Sequence, residues 1–187
     1  MRNKLIVVLM FVISAPLGRA QVSGNAFLGY SFADVGSSTG GIVNGNRIAL
    51  NGWNASIEIK PTRWVGVVAD FSGHYGSGKQ SFTEPTVFFL YDAHEHEFLF
   101  GPRVSATFGR IRPFGEALLG VGLVSLTNGG VALNGSNNSF AAAFGGGVDY
   151  KIAKLIGLRV QGDYIRTDFF SIAQNNFRLS TGVILRF

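Results

Sequence analysis

From Trp53 the chain alternates, with Trp53, Ala55, Ile57 and Ile59 on one face and Gly52, Asn54, Ser56, Glu58 and Lys60 on the other. A period of two over such a length predicts a β-strand with one apolar and one polar face, because successive side chains of an extended chain point to opposite sides. After the Pro61-Thr62 turn the pattern resumes, with Val65, Val67, Ala69 and Phe71 opposed to Gly66, Val68, Asp70 and Ser72. Phe98, Phe100 and Val104 oppose Glu97, Leu99, Gly101, Arg103 and Ser105, and Ala117, Leu119, Val121 and Leu123 oppose Glu116, Gly120 and Gly122. Phe140, Ala142, Phe144, Val148 and Tyr150 oppose Ser139, Ala143, Gly145, Gly147 and Asp149, and Ile156, Leu158, Val160 and Tyr164 oppose Gly157, Arg159, Gln161 and Asp163. An opening segment sets Ala26, Leu28, Tyr30 and Phe32 against Asn25, Gly29 and Ser31. A closing one sets Phe177, Leu179, Thr181, Val183, Leu185 and Phe187 against Arg178, Ser180, Gly182 and Arg186, for eight strands in all.

Long polar, glycine-rich connections at about 34–49, 74–93, 125–138 and 167–175 alternate strictly with short ones at about 60–63, 106–111 and 151–154. That spacing predicts an all-β fold, an eight-stranded antiparallel up-and-down transmembrane β-barrel spanning residues 21–187, with both termini on the short-turn side. In a water-soluble barrel the interior is apolar. Here the polar face is made of glycine, serine and charges of both signs, which suits a narrow lumen, and the apolar face suits lipid. Tyr30, Phe32, Trp53, Trp64, Phe71, Tyr75, Tyr150, Tyr164 and Phe187 flank the apolar runs and would form two interfacial girdles. The interior charges would be Glu58, Lys60, Asp70, Glu97, Arg103, Glu116, Asp149, Arg159, Asp163, Arg178 and Arg186. Charges away from water persist only when paired, so an interior ion-pair network is expected. Its members would be Glu58, Asp70, Arg103, Glu116, Arg159, Asp163 and Arg178, with Glu116 and Asp163 held by Arg103 and Arg159. Val87 to Tyr91 is apolar on both faces inside an expected loop: either the fourth strand begins there and projects past the membrane, with or without a bulge, or the loop folds over the barrel mouth.

Composition narrows the classes further. The 187 residues include 26 glycines, 17 phenylalanines and no cysteine; 47% are hydrophobic and 14% charged. Disorder is excluded by the apolar content, and a disulfide scaffold or thiolate zinc site by the missing cysteine. Beyond the N-terminus the apolar-plus-glycine runs Ala117 to Val124 and Phe140 to Val148 are well short of the roughly 18 to 20 residues of a spanning helix. Mean hydropathy is nonetheless +0.26. Residues 1–20 read as a secretory signal peptide, with Arg2 and Lys4 before an apolar stretch from Leu5 to Ala15 and small residues Gly18 and Ala20 at the expected cleavage site. Its removal would take bases from 16 to 13 against 11 acids, so the formal charge of +5 becomes +2. No basic cluster survives, and no nucleic-acid partner is expected.

These residues resemble the small outer-membrane β-barrels typified by the OmpA transmembrane domain and the OmpX and Ail-like proteins. The resemblance rests on the hairpin from Trp53 to Gly73, on Phe98 to Ser105, Arg112 to Gly122 and Leu158 to Tyr164, and on the ending from Asn175 to Phe187, in that order. It implies a monomer in the bacterial outer membrane, in contact with its lipid and lipopolysaccharide. The terminal aromatic with alternate apolar residues upstream, Phe187, Leu185, Val183 and Leu179, resembles the family's assembly signal and implies recognition by the barrel-assembly machinery. The peptidoglycan-binding domain of full-length OmpA relatives has no counterpart in the resemblance.

Candidate chemistry is sparse. His94, Glu95, His96 and Glu97 are the densest titratable set, and in a strand His94 and His96 share a face, a spacing compatible with a divalent metal. They read instead as rim histidines, with His74 ending the third strand at the same rim, and no metal or cofactor is expected. Some eight-stranded barrels modify lipid A, but the His-x-Ser-Asn motif that this would imply is missing after both His74 and His96. Gly145 to Gly147 lies mid-strand and is no phosphate loop, while Asn137-Asn138-Ser139 reads as part of a polar loop. The expected role is structural or surface-interacting through the four long loops, without catalysis. The alternatives are a narrow pore for ions or small solutes, or a lipid A-modifying enzyme.

Overall fold

The computed structural model describes residues 23–35, 48–83, 86–128, 131–169 and 172–187; the expected leader at 1–20 lies outside them. Eight strands follow in chain order: β1 (Ser23–Val35), β2 (Ile48–Lys60), β3 (Val65–Thr83), β4 (Thr86–Ser105), β5 (Ile111–Asn128), β6 (Val131–Lys151), β7 (Ile156–Phe169) and β8 (Ile172–Arg186). Each pairs antiparallel with its neighbours, and β1 pairs with β8, so the sheet is a closed barrel. Closure removes the edges that would leave backbone groups unpaired in hydrocarbon. At the seam the ends are clamped by Gly24 N–H to the Phe187 carbonyl at 2.8 Å and Phe187 N–H to the Gly24 carbonyl at 3.0 Å. Halfway up, Gly29 faces Gly182 in register, and a side chain on Gly182 would run into the Gly29 backbone.

The inside and outside are inverted relative to a soluble protein. Arg103, Arg159 and Arg178 are among the largest fully buried side chains, while Leu28 is 65% exposed, Phe100 65% and Phe144 63%. Exposed Ile57, Val67, Leu119, Val121, Val160, Leu179 and Val183 extend the apolar surface across the other strands. Isolated exposed apolar residues are ordinary, but a contiguous belt around a whole barrel is not; its partner is the acyl region of a bilayer. Inside, Val68, Leu99, Leu118, Ala141, Ala143 and Ile165 form an apolar cluster between the charged groups, although several of them stand on the polar parity of their strands.

The two central hairpins are longer than the hydrophobic pattern predicts. The stretch 74–93, expected to be loop, is largely strand: β3 and β4 stay paired from Tyr75↔His94 to Thr83↔Thr86. Val87 to Tyr91 therefore belongs to β4, opposite Phe82 to Gly78, without a register shift. Likewise Asn137-Asn138-Ser139 lies in β6 rather than in a loop, opposite Val124, Leu123 and Gly122. Residues 167–175 fall mostly in β7 and β8, paired as far as Phe169↔Ile172. A spanning strand needs only about 9 to 11 residues, so β4, with 20, and β6, with 21, carry the sheet well past the bilayer. A strand that continues past the bilayer has no lipid to face, so the apolar–polar alternation that marks a half-buried strand is no longer required of it.

Because the belt faces lipid, Leu119→Arg in the middle of β5's outward run should cost about 2–4 kcal/mol in urea unfolding from vesicles, against about 0–1 kcal/mol for Ile152→Arg in a short turn. Equal costs at the two positions would overturn the assignment of the belt.

Candidate functional site in the barrel lumen

The inward face gathers charges from all but one of the strands into two groups. Toward the short turns, Glu58 of β2, Arg103 of β4, Arg112 and Glu116 of β5, Asp149 of β6 and Arg159 of β7 form a chain of three carboxylates and three guanidiniums. Arg103 Nε donates to Glu116 at 2.7 Å and its Nη1 reaches Glu58 at 3.4 Å. Arg112 spans from Glu58 at 2.5 Å to Asp149 at 3.2 Å, and Arg159 grips Asp149 through Nε at 2.7 Å and Nη2 at 3.1 Å. Asn25 completes the ring, donating to Glu58 at 2.7 Å and accepting from Arg159 at 3.2 Å. The Arg103 guanidinium lies 4.2 Å from the Phe114 ring centroid, and Arg159 lies between Phe114 and Phe27 at 4.8 and 5.1 Å. Ring faces thus cover the flat sides of the guanidiniums while carboxylates take their edges.

Toward the long-loop end the balance differs. Arg178 alone serves three acids: Asp163 at 2.8 Å, Asp70 at 2.9 Å and Glu97 at 3.4 Å. Neutral donors share the load. Asn54 bonds both Asp70 oxygens, at 2.9 and 3.0 Å, Ser72 bonds Glu97 at 2.9 Å, and Gln161 bonds Asp163 at 3.1 Å. Gly145 leaves the space that the Asp163 carboxylate fills; any side chain there would collide with it.

Of the residues expected in the network, Glu58, Arg103 and Glu116 meet in the first group together with Arg159, and Asp70, Asp163 and Arg178 meet in the second. Asp163 bonds Arg178 rather than Arg159, whose partner is Asp149. Sequence reasoning did not place Arg112 inside; it stands on the polar parity of β5, two positions from Phe114 and four from Glu116, and that parity was the available signal. Lys60 and Arg186 sit half-buried on the inward parity at the short-turn end.

The histidines separate. His74 is level with the other two, opposite Glu95, but β3 runs on past it to Thr83 and it faces the lumen, buried, with its Nε2 2.8 Å from the Ser31 hydroxyl. His94 and His96 lie on the outward face of β4 around Tyr75, whose hydroxyl is 3.1 Å from His96 Nε2 and whose ring meets both imidazoles edge-on. Glu95 and Glu97 point the other way and are buried. Alternation along one strand thus splits a dense sequence cluster between lipid side and lumen. Among the described residues, no group of three or more histidines and acids is arranged to hold a metal ion.

No family model matches the chain, and no curated protein sequence matches it. Solved structures do. Neisserial surface protein A superimposes with a TM-score of 0.66 at 14% identity, over 88% of this chain and 97% of its own. OprG of Pseudomonas aeruginosa, an outer-membrane protein, gives 0.63 at 10% identity over 92% and 99%. Ail of Yersinia pestis, solved with the heparin analogue sucrose octasulfate, gives 0.59 at 16% identity over 89% and 99%. The fold is that of the small outer-membrane barrels.

The uneven stoichiometry around Arg178 makes it the most vulnerable point of the network. Arg178→Met leaves three buried carboxylates without a cation and should cost about 3–5 kcal/mol in urea unfolding. Arg112→Met should cost less, because Arg103 and Arg159 still reach Glu58 and Asp149. The reverse order would refute the two-group description.

Proposed function

We propose that the chain is a bacterial outer-membrane protein with a plugged barrel, without catalysis, that works through the surface it raises at the long-loop end. The observation that carries this reading is the filled lumen: Arg103, Arg159 and Arg178 are fully buried in a continuous set of ion pairs and apolar contacts. The lumen of an eight-stranded barrel is just wide enough for side chains to fill. The likeness in fold to outer-membrane barrels supports the location, and the β3–β4 and β5–β6 hairpins supply a raised platform for a ligand. Outward-facing Leu179, Val183, Leu185 and Phe187 on β8 would serve the barrel-assembly machinery as its recognition strand, and a lipid-covered exterior fits a monomer surrounded by lipid and lipopolysaccharide. A narrow pore for ions or small solutes is the second reading, although the space at the inward Gly145 is taken by the Asp163 carboxylate.

Planar-bilayer recordings separate the two. The plugged barrel should show no stable steps, whereas steps that change when Arg103 or Glu116 is neutralised would establish a pore. The chain has no cysteine, so single introduced thiols report topology cleanly. Thr83→Cys at the β3 tip should react with a membrane-impermeant biotin reagent on intact cells, and Arg63→Cys in a short turn should react only after lysis; the opposite result would invert the orientation. Mass spectra of lipid A should be the same with and without the protein, and an altered acyl pattern lost on His96→Ala would make it an enzyme.

A further inference from the structure

The three short turns share a composition that barrel closure does not require. Residues 61–64 carry Arg63 beside Trp64, 106–110 carry Phe108 and Arg110, and 152–155 carry Lys154 between Ile152 and Leu155; none contains an acid. All of these side chains are exposed, Trp64 at 59%, Phe108 at 68% and Leu155 at 59%. The closing Phe187, 68% exposed, lies at the same end. Each turn therefore presents one free-standing cation next to a large apolar side chain.

The charge of the barrel is correspondingly polarised. At the short-turn end the acids Glu58 and Asp149 face inward and are consumed by Arg112, Arg103 and Arg159, so the charges exposed on the three turns are all cationic. Asp34 of β1 and Asp92 of β4 stand at the opposite end, as does Arg166 on the outward face of β7. A net charge of +5 for the chain conceals this separation.

From this pairing, and resting on the membrane reading above, we infer that the short-turn ring binds the phosphate headgroups of anionic phospholipid in the leaflet it faces. Tryptophan settles at the boundary between acyl chains and headgroups, and phenylalanine and leucine flanked by cations insert at that boundary, which sets Trp64, Phe108 and Leu155 at that depth. Their neighbours Arg63, Arg110 and Lys154 then lie at the level of the phosphates, where each basic residue is attracted to a negatively charged leaflet and the attraction is screened by salt. Arg63 and Arg110 have guanidinium forks that match a phosphate, and Lys154 adds a point charge. The occupant is a phospholipid rather than an acidic protein because the cations are spread over separate turns around the rim, each with its own apolar anchor, and do not converge on one patch.

Native mass spectrometry of the barrel released from nanodiscs of equal phosphatidylcholine and phosphatidylglycerol tests the idea. The wild-type barrel should retain phosphatidylglycerol in excess of the nanodisc ratio, and the excess should fall several-fold in the triple variant Arg63→Gln, Arg110→Gln, Lys154→Gln and in the wild type prepared at high salt. Arg166→Gln, at the other end, should keep it. Folding is checked by the heat-dependent gel shift, and the three single variants stand in if the triple one fails that check. Lipid retained at the bulk ratio by the wild type, or an excess unchanged in the variants, overturns the inference. A barrel that does not enter nanodiscs at all overturns the membrane reading instead, so the two failures are distinguishable.

Discussion

Everything in this molecule follows from the requirement that each backbone N–H and C=O inside a bilayer find a partner within the protein. A sheet meets that demand only by closing on itself, and here closure is achieved where β1 meets β8 with an unbroken register from Asn25↔Arg186 to Val35↔Asn176. Closure assigns every side chain to lipid or to the lumen according to its parity. An apolar exterior and a polar, crowded interior are then two consequences of one constraint.

The interior must be solved electrostatically. Dispersing charges along the inward face without pairing them would cost several kcal/mol per ion, and the lumen answers in two ways. Near the short turns, equal numbers of guanidiniums and carboxylates form a chain padded by Phe27 and Phe114. Near the long-loop end one guanidinium is surrounded by three acids, with Asn54, Ser72 and Gln161 adding neutral donors. The consumption of the inward acids at the short-turn end is also what leaves its outer rim cationic, so lumen packing and surface character are linked.

Some of these pairs are adjacent in the sheet and others cross the barrel. Arg103 and Glu116, Asp149 and Arg159, and Asp163 and Arg178 are direct register partners on neighbouring strands. Arg178 to Asp70 joins β8 to β3, and Arg112 to Glu58 joins β5 to β2, spans that depend on the width of the barrel and the stagger of its strands. Asp163 and Arg159 stand four residues apart on one strand, about 13 Å along it, so each takes the partner that the register sets opposite it, Arg178 on β8 and Asp149 on β6.

The sequence by itself determined which residues face lipid and which face the lumen in each of the eight strands, because a half-buried strand in a bilayer must alternate and a slip of one residue would put charge into hydrocarbon. It determined as well that the strands run up and down, since long and short connections alternate. Tertiary structure alone decided how far the sheet continues beyond the membrane, where residues 74–93 carry no sustained alternation. It also decided which guanidinium meets which carboxylate across the barrel. Those are matters of stagger and closure, and both are set by all eight strands together.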